Sequence, residues 1–180
     1  MSTHTYVDET KAKGYVVVAA TAAPEQFKVA RKELTTILLS GQRSLHMKSE
    51  STARRHAISD TVVAMGVDLG IEVVVYDAGR AGSELERRAR CLRALVEVAS
   101  ASAGVTRVTF DLDQTLLSWD RQQLIELTRA SGGSQIEYAH MARHQELLLA
   151  IPDIVAWSWA KGGECRKRVA PVIAKAVTVP

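Results

Sequence analysis

The sequence predicts an α/β fold in which helices flank a mixed central sheet, and three observations predict it. The chain opens with two β-type runs, residues 4–8 and 15–21, separated by a short polar turn. Apolar runs of strand length then alternate with segments of helical periodicity, each change punctuated by turn residues. Three of the strand-like runs end on an acidic residue, at Asp8, Asp77 and Asp111. An antiparallel hairpin edge leading into right-handed parallel crossovers fits that order.

The second run carries the β-branched cluster Val16-Val17-Val18 and completes the hairpin. Pro24 suits the first turn of a helix. Phe27, Ala30, Leu34, Ile37 and Leu38 recur at helical spacing, and Gly41 stops them. Ser44 to Lys48 reads as a third, short strand, followed by a helix from about Thr52 to Met65 with Ala53, Ala57, Ile58, Val62 and Met65 inward. Ile71 to Tyr76 is the clearest strand and ends at Asp77, with Gly79 and Gly82 beyond it.

Ser83-Glu84-Leu85-Glu86 has capping-box spacing and opens a helix to about Ala101. That helix places Leu85, Leu92, Leu95, Val96 and Ala99 on one side and a solvated Arg87, Arg90 and Arg93 on another. Val105 to Phe110 is a strand ending at Asp111, a helix from Trp119 to about Ala130 stops at Gly132-Gly133, and residues 135–140 form a last strand. Helical segments over 144–160 and 164–176, broken by Pro152, Gly162-Gly163 and Pro171, finish the chain. This is the layout of an RNase H-like three-layer domain, and all 180 residues are assigned to it.

The bulk numbers narrow the function. Hydrophobic content of 47% with 24% charged residues is that of a globular protein with a sizeable core. Aromatics at 5% argue against a base-stacking platform. A net charge of +3 is compatible with a nucleic-acid partner without demanding one. Cys91 and Cys165 are too few for a disulfide framework or a four-cysteine zinc site and read as thiols in a reducing compartment. No secretory signal and no run near the ~20 apolar residues of a membrane span is present, so the expected location is cytoplasmic. The possibility of a homodimer is left open.

Asp8, Asp111 and Asp153 give these features a chemical meaning. Asp8 ends the first strand, Asp111 a later one, and Asp153 starts a late apolar helix. Carboxylates delivered from two strands and a terminal helix are how a metal-dependent nuclease assembles its site, where two divalent cations activate water and stabilise the leaving oxygen. Mg²⁺ or Mn²⁺ would suit such oxygen ligands. Asp77 rivals Asp111, because its strand follows the first crossover and is expected beside the first strand. Glu9 points to the opposite face from Asp8. His46 and Lys48, alternating onto one strand face, are candidates for phosphate binding or proton transfer. Arg54, Arg55, Lys161, Arg166, Lys167 and Arg168 are candidates for a track along a phosphate backbone.

Several segments resemble the DUF3800 family, whose members are predicted to have an RNase H-like fold. Asp8-Glu9-Thr10 resembles its opening Asp-Glu-Ser, and Leu45-His46-Met47-Lys48-Ser49-Glu50 its short His-containing segment. Val75-Tyr76-Asp77 and Thr109-Phe110-Asp111 resemble its two strands ending in Asp. Pro152-Asp153-Ile154-Val155-Ala156-Trp157 resembles its closing helix. Thr10 stands where the family has Ser, and Pro152 where it has Ala. The resemblance implies a nuclease, often associated with phages or mobile elements, and on its pattern Asp111 ranks ahead of Asp77.

Two other readings compete. One is a non-catalytic RNase H-like module that binds nucleic acid or a protein. The other rests on Asp111-Leu112-Asp113-Gln114-Thr115, which resembles the nucleophile motif of haloacid-dehalogenase-like phosphatases; only 65 residues follow it, and no acidic metal-binding loop is among them. His140 and His144 have the spacing of a zinc pair but lie across a strand end, without an intervening Glu.

Overall fold

The computed structural model describes residues 2–101, 104–132 and 135–180. Gly133, part of the expected helix stop, lies outside the described residues. Strands β1 (Thr3–Thr10) and β2 (Val16–Ala22) form the hairpin, and helices α1 (Pro24–Thr36) and α2 (Thr52–Asp68) follow. β3 (Glu72–Asp77), α3 (Glu84–Ser100), β4 (Thr106–Asp111), α4 (Leu117–Ala130) and β5 (Ile136–Met141) then alternate. α5 (Ala150–Lys161), α6 (Gly163–Val169) and β6 (Ile173–Thr178) complete the chain.

The strands build one six-stranded sheet in the order β5-β4-β1-β2-β3-β6. β2 runs antiparallel to β1 and β3, and the other pairs, β1/β4, β4/β5 and β3/β6, are parallel. α1, α2, α5 and α6 cover one face, where Tyr6, Val18, Phe27, Leu34, Val62, Ile151 and Val155 share a core. α3 and α4 cover the other, over Val7, Val17, Tyr76, Leu92, Leu95, Phe110 and Leu124. β1 is therefore buried on both faces, its consecutive residues Tyr6 and Val7 serving opposite layers. This is the predicted three-layer α/β architecture.

Local signals explain most boundaries. Ser83 and Glu86 form the expected capping box on α3. Pro152 does not break α5 but sits in its first turn, where a missing N–H costs no hydrogen bond. At the hairpin, Gly14 adopts φ +141°, and a Cβ there would stand 2.9 Å from the Gly79 carbonyl oxygen.

Four expectations change. Residues 44–48 are not a strand: an extended segment runs into a 3-10 turn at Met47–Ser49. Its main chain bonds to side chains instead of to a sheet, with Arg55 donating to the Met47 and Lys48 carbonyls at 2.7 and 3.2 Å. The 164–176 helix stops at Val169, because Pro171 cannot continue it. Residues 173–178 then add a sixth strand beside β3. Helical structure expected from residue 144 begins at a 3-10 turn, Leu147–Leu149, leaving 142–145 as a turn. Leu85, Ala53 and Ala57, expected inward, are exposed.

Beneath β1, on the α3/α4 side, lies a buried ion network that hydrophobic periodicity does not announce. Arg88 is 1% exposed and grips Asp120 of α4 with two hydrogen bonds of 2.6 Å. The same guanidinium reaches the Tyr15 hydroxyl at 2.7 Å and Glu9 at 3.0 Å. His140 of β5, stacked on Phe110, approaches the second Asp120 oxygen at 3.2 Å. Burial works against the Arg88 charge, but Asp120, Glu9 and Tyr15 outweigh it and hold the guanidinium firmly protonated. Removing one partner strands the others without solvent. Arg88→Met is accordingly expected to destabilise the fold by about 3–5 kcal/mol, read as a lower urea midpoint at unchanged slope.

Candidate active site

Parallel pairing places the first two acidic residues side by side. Val7 of β1 stands opposite Phe110 of β4, so Asp8, where β1 leaves β4, and Asp111, which ends β4, follow side by side. Both point toward α5, since Val7 and Phe110 belong to the opposite layer. Met141 of β5 pairs with Asp111, and a turn closed by Gln145 N–H to the Ala142 carbonyl (2.8 Å) carries Arg143 to the same edge. α5 packs across β1 and β2 and presents Asp153 from its first turn, where a carboxylate is favoured by the helix dipole. The carboxyl edge of parallel strands is the usual place for a site in an open α/β sheet.

The three carboxylates converge on one guanidinium. Arg143 Nε and one terminal nitrogen donate to Asp111 Oδ2 at 2.8 and 2.7 Å. That nitrogen also reaches Asp8 Oδ2 at 3.1 Å, while the other donates to Asp153 Oδ1 at 3.0 Å and contacts His46 Nδ1. Second partners fix the ligands. The Met47 N–H donates to Asp153 Oδ2 at 3.0 Å, His46 Nδ1 lies 3.2 Å from Oδ1, and the Glu9 N–H donates to Asp8 at 2.8 Å. Around them is a cleft of about 620 Å³, also lined by Lys11, Lys48, Asp113, Gln114 and Trp157.

The charges at this point do not balance. Burial pushes the Asp8 carboxyl well above its usual range; Arg143 pulls it back, but Asp153 and Asp111 add to the rise. Burial also disfavours the Asp153 charge, yet the His46 contact, Arg143 and the Met47 N–H overcome it and hold that pKa low. For Arg143, burial is outweighed by Asp8, Asp111 and Asp153, which keep it cationic. One guanidinium thus faces three carboxylates, and the deficit of positive charge falls on Asp8.

The other sequence candidates separate. Asp77 is not beside β1: β2 lies between, and its carboxylate accepts the Gly79 N–H at 2.9 Å in a tight turn. His46 and Lys48 both line the cleft, but from the extended segment and 3-10 turn rather than a strand face. Glu9 faces the opposite layer, as expected, and pairs with Arg88. Arg54 bonds Glu50 and the Ile37 carbonyl, and Arg168 pairs with Asp60 on the surface at 2.6 Å, so both guanidinium groups have protein partners. Arg55 lies 4.9 Å over the Trp157 ring and Arg166 3.3 Å over Trp159. Lys167 pairs with Glu164, and Lys161 is exposed at the end of α5. Asp113 accepts from the Thr115 N–H and hydroxyl at 2.9 and 2.6 Å. Those bonds lower its pKa, which fits a turn residue better than a phosphatase acid/base. Arg143 was missed, and only its place in the polar turn after a strand adjoining Asp111 could have signalled it.

No family model and no curated protein sequence matches the chain. In structure it is similar to ribonuclease HII, in the structure of the PCNA:RNase HII complex from Archaeoglobus fulgidus. That similarity has a TM-score of 0.50 at 14% identity and covers 86% of this chain and 69% of the other. The chain has an RNase H-like fold. Among the described residues, no helix is long and apolar enough to cross a membrane.

A pH dependence follows from Asp8. Its raised folded pKa contributes stability in acid, and that contribution is lost as pH rises through the folded value. Asp153 acts oppositely, its contribution being present above the ordinary carboxylate range and lost in acid. Without divalent cations, wild-type stability is expected to fall as pH rises above the ordinary carboxylate range through the raised Asp8 value. Asp8→Asn should abolish the fall and be more stable than wild type on the alkaline side of it, measured by chemical denaturation as a function of pH.

Proposed function

We propose that the chain is a divalent-metal-dependent nuclease that hydrolyses nucleic-acid phosphodiester bonds. One observation carries the reading: Asp8, Asp111 and Asp153, from two parallel strand ends and a helix, gather on a single cationic point in an open cleft. The RNase H-like fold supports it, and so does the resemblance of the Asp8, Asp111 and Asp153 segments to the DUF3800 family.

Mg²⁺ or Mn²⁺ fits the donor chemistry, since every carboxylate oxygen is a hard ligand and one guanidinium only partly offsets three carboxylates. Among the described residues, however, no three such side chains already stand in a ligating arrangement, because they are spread around the guanidinium. Asp8, Asp111 and Asp153 would hold the cation, which when bound supplies activation of water and stabilisation of the leaving oxygen. His46, oriented against Asp153, is placed to hold or move a proton. Lys11 and Lys48 line the cleft, and Lys13 reaches the Lys161 carbonyl at 3.3 Å, so basic side chains border the mouth where a phosphate backbone would lie. Lys161 and exposed Arg166 and Lys167 would extend that border along the outer surface.

A non-catalytic nucleic-acid-binding module is the second reading, favoured by the seating of Arg143 among the carboxylates. Labelled single- and double-stranded DNA and RNA, incubated with Mg²⁺ or Mn²⁺, separate the two. Wild type is expected to cleave at least one substrate, and Asp8→Asn and Asp153→Asn to lose on the order of 10³-fold in rate while remaining folded. Binding without cleavage by any of the three proteins would overturn the nuclease reading.

A further inference from the structure

We propose that Arg143 is an exchangeable counter-ion: its guanidinium holds the cation position of the site, and a divalent cation enters only as that guanidinium leaves. The inference rests on reading the three carboxylates as a metal site, and it concerns how that site is loaded.

The two arginines that neutralise this region are built differently. Arg88 is embedded between layers with its side chain 2% exposed, bonded to a helix, a strand and a tyrosine. Arg143 comes from the turn after β5, and its side chain is 25% exposed above an Asp8 side chain that is 2% exposed. It lies between the floor of the cleft and solvent, so it can depart without opening the core. Its guanidinium contacts are Asp8, Asp111, Asp153 and His46, groups of the site itself. Arg55 and Arg90, by contrast, are anchored on main-chain carbonyls.

Departure would leave two of the three ligands held. Asp153 keeps the Met47 N–H and His46, and Asp8 keeps the Glu9 N–H. Asp111 receives its side-chain hydrogen bonds from Arg143 and is the carboxylate freed to turn. The exchange is favourable in charge, replacing one positive charge by two against three carboxylates. Guanidinium and metal compete because both require the same oxygens, and their juxtaposition would bring like charges together at short range.

The test compares wild type with Arg143→Ala and Arg143→Lys by Mn²⁺ titration calorimetry and by thermal melting with and without the ion. Arg143→Ala is expected to melt below wild type in chelator and to recover more of its melting temperature on adding Mn²⁺. Its Mn²⁺ affinity should be about tenfold tighter or better, a change of about 1.4 kcal/mol, with Arg143→Lys between. In wild type, the Arg143 Nε–H resonance is expected to shift and exchange faster with water as Mg²⁺ is titrated. Should Arg143→Ala fail to fold, that resonance and the Lys variant still decide. Metal binding of equal strength in all three proteins, with the resonance unmoved at saturation, would overturn the exchange and leave the nuclease reading intact. Exchange without cleavage of any substrate would retire the nuclease reading and leave the exchange standing. No metal binding by any variant would remove both.

Discussion

Three carboxylates gathered in one buried corner repel one another, and the carboxyl edge of the sheet is organised around that repulsion. Asp8 and Asp111 stand side by side because their strands are parallel neighbours, and Asp153 descends on them from the first turn of α5. Such a cluster stays ionised only if positive charge or N–H groups are delivered to it. Arg143, the Met47 N–H, the Glu9 N–H and His46 arrive from three different segments to do so. The extended run before the Met47–Ser49 turn makes sense in this light. It gives up sheet pairing so that its main chain can face Asp153 on one side and Arg55 on the other.

The fold supplies the supports that keep these segments in position. Arg55 fastens the Met47 turn to α2 and lies over Trp157 of α5, so the turn, helix and cleft wall are tied together. On the other side of the sheet, Arg88 and Asp120 join α3 to α4, with Glu9 of β1 and His140 of β5 drawn into the same network. β4, the strand that carries Asp111, lies between β1 and β5 and is therefore braced from both neighbours.

Much of this was legible in the sequence. The order of elements followed from apolar periodicity and turn residues, and Asp8, Asp111 and Asp153 were found because each ends or begins an apolar run. What escaped depends on adjacency that no local pattern encodes. Asp77 has the same strand-end signature as Asp111, and only the placement of β2 between β1 and β3 separates them. Arg143 is a single basic residue in a polar turn, indistinguishable in sequence from any solvated arginine. Arg88 hides among Arg87, Arg90 and Arg93, and becomes a buried ion only because Asp120 and Glu9 lie opposite it. β6 is as long as β3, β4 and β5 but was misread because it follows directly on helical turns and Pro171.

The neighbouring acids Asp8 and Glu9 carry a consequence for how the chain finds its pairing. A strand buried on both faces has apolar residues on both, as Tyr6 and Val7 show, so hydrophobic alternation gives β1 no parity signal. A slip of one residue against β4 would keep greasy side chains inward on each layer. It would also turn Glu9 toward the α5 cleft and Asp8 toward Arg88, separating both arginines from the partners whose lengths match their reach. The two oppositely directed ion clusters therefore act as a proofreading mark on the central strand, admitting one alignment where packing alone would tolerate two.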